Sequence, residues 1–186
     1  MKIFILALSW CFTTTLAFGQ SKGAKEQYEA GYRLIDERSY SAAVASFLLA
    51  IQADPTGECG TGMPGKAHGE LGTAYTYLDD SVNARIYFNK SIALGPANCL
   101  TRQNKAALLT RQGRYAEARQ VLAELLRIKS DWTGAYVQRG FINRTEGKSE
   151  AAIADFNQAL LLNKKENSLP KELVTQLKQY IKEVSH

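Results

Sequence analysis

Apolar residues Leu169, Leu173, Leu177, Tyr180, Ile181 and Val184 fall on one face of a helical period, with Lys171, Gln176, Lys178, Lys182 and Glu183 opposite. This pattern predicts an amphipathic helix over residues 168–184, and Asn167-Ser168-Leu169-Pro170 supplies its start, a capping residue followed by proline in the first turn. Upstream, the pattern is a repetition. Gly72, Ala106 and Gly140 lie 34 residues apart, and 12 residues after each comes alanine (Ala84, Ala118, Ala152), followed four later by Phe88, Leu122 and Phe156. Gly31, Ala43 and Phe47 keep the same spacing. A glycine inside a helix costs about 1 kcal/mol relative to alanine, so its recurrence at one phase requires a packing reason. The reason is close approach: one helix lies tight against its partner only where a side chain is missing. A large residue on the partner then fills the space against the next unit, and the apolar core runs along the repeats.

These residues resemble the tetratricopeptide repeat, whose pattern is a small residue after a large apolar one, then alanine, phenylalanine, alanine and a closing proline. Four copies begin at Ala24, Gly65, Cys99 and Thr133 and span 24–57, 65–98, 99–132 and 133–166. Copies 1 and 2 close on Pro55 and Pro96, whereas Ser130 and Lys164 stand at that place in copies 3 and 4. Turns are expected at Glu37-Arg38-Ser39, Asp79-Asp80-Ser81, Arg111-Gln112-Gly113 and Glu146-Gly147-Lys148. The resemblance implies an all-α fold, a right-handed α-solenoid of four hairpins over residues 20–167 with residues 168–186 as a C-terminal capping helix.

The first residues read differently. Met1-Lys2 is a short basic start, Ile3 to Phe12 a mostly apolar run, and Thr13 to Gly19 a more polar stretch ending in small residues, which is the anatomy of a signal peptide over 1–19. The run is about half the roughly 20 apolar residues a membrane span needs. Trp10 before Cys11 is too large for a lipoprotein signal. An exported, periplasmic or extracellular protein is therefore expected. Loss of Lys2 takes the net charge from +5 to about +4, too mild to point to nucleic acid. The charge is uneven: residues 20–98 carry 7 basic and 9 acidic side chains, residues 99–186 carry 15 and 9.

Candidate chemistry is sparse. Copies 1 and 2 start 41 rather than 34 residues apart, and the insertion within Pro55–Lys66 holds Gly60, Gly65 and Lys66 at phosphate-loop spacing. Ala67 offers no hydroxyl for magnesium and no strand precedes the loop, so nucleotide binding is not expected, nor any cofactor. With the signal removed, Cys59 and Cys99 remain, an even count in an oxidising compartment. A Cys59–Cys99 disulfide pinning the insertion is the expectation, with two separate thiols as the alternative. Two cysteines without a nearby histidine are too few for a metal site. His68 stands at a packing position and His186 ends the chain, so no catalytic group is nominated.

The family lines its groove with the first helix of each repeat. Carried over by position, this gives Tyr28, Tyr32 and Asp36 from copy 1, Thr73, Thr76 and Tyr77 from copy 2, Gln103, Asn104 and Arg111 from copy 3, and Phe141 and Arg144 from copy 4. Aromatic, amide and cationic groups suit an extended peptide or a partner helix. A subset of the family grips chaperone C-terminal carboxylates through a lysine and an asparagine at positions held here by Tyr28 and Tyr32, so that ligand is not expected. The resemblance implies a non-catalytic scaffold that holds a protein or peptide in the cell envelope. The second reading is a self-associating structural subunit, and an all-helical hydrolase is a remote third.

Overall fold

The computed structural model describes residues 23–55, 63–95 and 98–184. The signal-like residues 1–19, Cys59 and Gly60 lie outside the described residues. Nine helices occur among those described: α1 (residues 23–36), α2 (Tyr40–Ala53), α3 (Met63–Tyr77), α4 (Ser81–Leu94), α5 (Cys99–Arg111), α6 (Tyr115–Ile128), α7 (Thr133–Thr145), α8 (Ser149–Glu166) and α9 (Lys171–Val184). No strand is among them, and the fold is all-α. Two compact units divide the chain, Met1–Thr101 and Arg102–His186.

In the first unit, α1 packs on α2 through Gly31, where an added Cβ would stand 2.7 Å from the Phe47 ring. Gly72 meets Phe88 in the same way between α3 and α4. Ala43, Phe47 and Leu71 form a buried cluster, flanked by Tyr28, Leu34, Ile35, Val44, Ile51, Tyr75 and Tyr87, that joins α2 to α3. Behind it lies a polar joint. Ser91, fully buried, donates to the Gly65 carbonyl at 2.6 Å and lies 2.9 Å from the Thr101 hydroxyl. Asn98 accepts from the Thr101 amide at 3.1 Å and so caps α5. Gly69 is required here, because a Cβ would come within 2.6 Å of the Thr101 hydroxyl. Gly65 and Lys66 belong to α3 itself, which begins at Met63 and so makes the end of the insertion helical.

In the second unit, Gly140 meets Phe156 between α7 and α8, and Phe156, Ala152, Ala159 and Val137 form the core that α9 closes with Leu177. Leu169, Leu173, Tyr180 and Ile181 pack around it, while Val184 is exposed. The last helix starts three residues later than residue 168. The Asn163 side chain accepts the Leu169 amide at 2.7 Å, so Ser168 and Leu169 stay non-helical, and Pro170 receives the Val174 amide as the first turn forms. Copy 3 replaces the glycine–phenylalanine pair by Ala106 and Leu122, both fully buried. The smaller leucine leaves room for the methyl group.

The turn inside each hairpin has one construction. Arg38, Asp79, Gly113 and Gly147 occupy the same repeat position and all take left-handed backbone, with φ of 60°, 61°, 71° and 74°. In each, the following amide reaches back to a carbonyl five residues earlier: Ser39 to Leu34, Asp80 to Tyr75, Arg114 to Leu109 and Lys148 to Asn143. This is the Schellman closure, which satisfies orphan carbonyls of the ending helix. The second helix then starts at once, and in copy 2 Asp80 accepts the Asn83 amide at 3.0 Å.

Candidate binding faces

Each unit presents its first-helix residues on its own terms. In the first unit Tyr28 is half-buried, with its ring 5.8 Å from that of Phe47. Burial, then the nearby Glu70 carboxylate and Tyr32, pushes its phenol up to about 12. Tyr32, one turn on, is 51% exposed. Tyr28, Glu29, Tyr32 and Arg33 line a shallow open hollow along α1. Asp36 is exposed at the end of that helix.

From α3 comes Glu70, half-buried, whose carboxyl is raised above the usual glutamate value by desolvation. Thr73 and Thr76 donate their hydroxyls to the Gly69 and Gly72 carbonyls one turn back, at 3.2 and 2.7 Å. Tyr77 is 57% exposed on one face and stacked on Tyr40 on the other, at 4.6 Å between ring centres and nearly parallel. Tyr28 and Glu70 thus come together with Tyr32.

In the second unit Gln103 accepts from the Trp132 indole and lies against Gly134, so it is held rather than presented. Asn104 is half-buried and Arg111 exposed in the last turn of α5, where a cation favours the helix dipole. Phe141 is part of the core, its ring edge-on to Phe156 at 5.2 Å. The Arg144 guanidinium lies over Tyr180 of α9 at 5.2 Å and over Phe141 at 5.8 Å. Beside these, Arg139 donates to Asp155 through Nε and Nη2, the latter at 2.6 Å, and Asn143 donates to the same carboxylate at 3.0 Å.

Glu70, Tyr40 and the Trp132 anchor were not nominated as site residues from the sequence, although Tyr40 stands at a repeat position that copy 3 fills with Tyr115. Tyr180 carried a signal too, within the apolar stripe of the last helix. His68 is buried beside Tyr87, with ring centres 5.9 Å apart, the packed position expected of it. Cys99 is buried at the start of α5, and its pairing with Cys59 falls outside the described residues. Among the described residues no metal-ligating cluster occurs, and no helix is long and apolar enough to cross a membrane.

Residues 133–166 match the family model of the tetratricopeptide repeat. Human DnaJ homolog subfamily C member 3 is 29% identical over 120 residues, which are 64% of this chain and 24% of that protein; the chain spans about a quarter of its length. Among solved structures, Pseudomonas aeruginosa PilF superposes with a TM-score of 0.70 at 18% identity, over 89% of this chain and 78% of that one. YrrB, a tetratricopeptide-repeat protein with an unusual peptide-binding site, gives 0.65 at 19% identity, over 95% and 88%. These likenesses show the fold, an α-solenoid of helical hairpins.

Proposed function

We propose that this chain, which carries a tetratricopeptide repeat at residues 133–166 and folds as such proteins do, is a non-catalytic scaffold that binds an extended protein segment on its first helices. Tetratricopeptide repeats serve as protein-binding scaffolds, and YrrB has a peptide-binding site on the same fold. The observation that carries the reading is the aromatic face of the first unit. Tyr32 and Tyr77 are more than half exposed on α1 and α3, yet the Tyr77 ring is held on Tyr40. Preorganised tyrosines give contact area at small entropic cost, which is why they are enriched where partners bind. The location we propose is the cell envelope or beyond it, supported by Met1-Lys2 and the apolar run Ile3 to Phe12.

A double substitution tests this. Tyr32→Ala with Tyr77→Ala should weaken a partner captured by crosslinking in its native host by about tenfold or more, as loss of two aromatic contacts does. Unchanged affinity with an unchanged helical spectrum would move binding off this face.

A second reading, self-association, is favoured by one surface. Helix α2 carries no charged side chain, and Ala42, Ala45, Leu48 and Leu49 are exposed along it. Light scattering across a concentration series separates the two, since a monomer at every concentration removes the self-associating subunit.

A further inference from the structure

The Glu70 carboxylate is an unusual feature of the first-helix face, because it is partly buried and nothing described compensates it. It stands beside Leu71, fully buried, and Gly72, which abuts the Phe88 ring, so its backbone is fixed by the tightest packing in the hairpin. Glu29, the neighbouring acid on α1, pairs with Lys25 at 3.8 Å. Glu70 has no such partner. Neither Lys66, one turn before it on α3, nor Arg33 on α1 forms an ion pair with it, and no described donor gives it a hydrogen bond; desolvation alone accounts for its raised proton affinity. A desolvated carboxylate facing a binding surface discriminates by charge. An incoming cation gains a partner in a medium of low dielectric, whereas an anion is repelled.

Two aromatic groups near it, Tyr28 and Tyr32, favour the same ligand, and Arg33 lines the same hollow as a competing charge. Tyr28 packs against the buried cluster that contains Leu71, the residue next to Glu70, and shares the open hollow on α1 with Tyr32; the Glu70 charge helps to raise its phenol. Tyr32 is 51% exposed, and an aromatic ring at such a site can take a cation on its face. Residues 20–98, which include all of these groups, carry 9 acidic and 7 basic side chains, a small local excess of the sign that complements a basic segment at contact.

We infer that the first unit takes a lysine or arginine side chain of an extended basic peptide, with Glu70 meeting its charge and Tyr28 and Tyr32 flanking its stem. The inference deepens the scaffold reading and rests on it.

The test uses the full chain and three pools of short random peptides that differ only at one fixed central residue: arginine, citrulline or glutamate. Citrulline keeps the shape of arginine and removes the charge. The arginine pool should bind about tenfold tighter than the citrulline pool, which corresponds to about 1.4 kcal/mol. Glu70→Gln should reduce that preference to about twofold while leaving citrulline binding unchanged, and Tyr32→Ala should weaken the arginine pool by about two- to fivefold. If the citrulline or glutamate pool binds as tightly as arginine, the scaffold stands and the cationic site is lost. If no pool binds, the scaffold reading falls with it. Self-association abolished by Glu70→Gln would put a second copy of this chain in place of the peptide and overturn the inference.

Discussion

Hairpins α3–α4 and α7–α8 share one skeleton and fill it oppositely. Both close a glycine onto a phenylalanine, Gly72 on Phe88 and Gly140 on Phe156. Around that contact, copy 2 places Leu71, Tyr75 and Tyr87, with the two tyrosine rings stacked at 5.4 Å. Two repeat lengths on, the same positions hold Arg139, Asn143 and Asp155, joined by hydrogen bonds onto a carboxylate only 5% exposed. The repeat thus fixes where the helices touch and leaves the flanking interlock free to be apolar or ionic. Copy 4 ties Arg139 and Asn143 to Asp155 and sets Phe141 and Arg144 against Phe156 and Tyr180. Copy 2 leaves Glu70 without a partner and Tyr77 open. One hairpin of this pair spends its charged groups on its own interlock, and the other leaves a carboxylate without an ion pair.

The shared skeleton should show the largest effect. Phe88→Ala and Phe156→Ala each remove a fully buried ring and should each cost about 3–5 kcal/mol, read by urea denaturation. A loss confined to one of them would break the equivalence of the two hairpins.

The interlock comes next. Asp155→Ala strands Arg139 and Asn143, and because the Arg139 side chain is 28% exposed and can reach water, the expected loss is about 2 kcal/mol, below that of a fully buried pair. Giving copy 4 the residues of copy 2, as Arg139→Leu, Asn143→Tyr and Asp155→Tyr together, should recover most of that loss, since apolar groups can replace a buried ion pair. A triple variant less stable than Asp155→Ala alone would show that the two fillings are not interchangeable.

The skeleton was legible in the sequence because it depends on side-chain volume at a fixed phase. Gly31 with Phe47 and Ala106 with Leu122 can be paired from spacing alone. The turn at Gly113 and Gly147 was legible too, and the same phase places Arg38 and Asp79 in left-handed backbone that their side chains do not advertise. The faces were much less so. Repeat position says that Gln103, Phe141 and Arg144 stand on first helices, but not that Trp132 takes up Gln103 or that α9 reaches Arg144. Glu70 reads as one acid among many until Tyr28 and the tight packing of Gly72 surround it. Whether a polar group is spent or available depends on side chains from other elements, and a repeat pattern does not encode those.

The smallest expected effect sharpens the contrast most, because it reverses the usual sign. Burial raises the Glu70 carboxyl above the ordinary value of 4.5, so the folded chain holds that proton more tightly than the unfolded chain does. Above that range the group is ionised and costs stability; below 4.5, where both states carry the proton, the cost is gone. Glu70→Gln should therefore raise the melting temperature at pH 7 by no more than about 2–4 °C, the size of a 1 kcal/mol change in a chain of this length. The gain should shrink as pH falls through 4.5. Asp155→Asn, at a carboxylate with three donors from Arg139 and Asn143, should destabilise the protein at pH 7. If Glu70→Gln also destabilises, then Glu70 is compensated in the free protein, and copy 2 is as closed as copy 4.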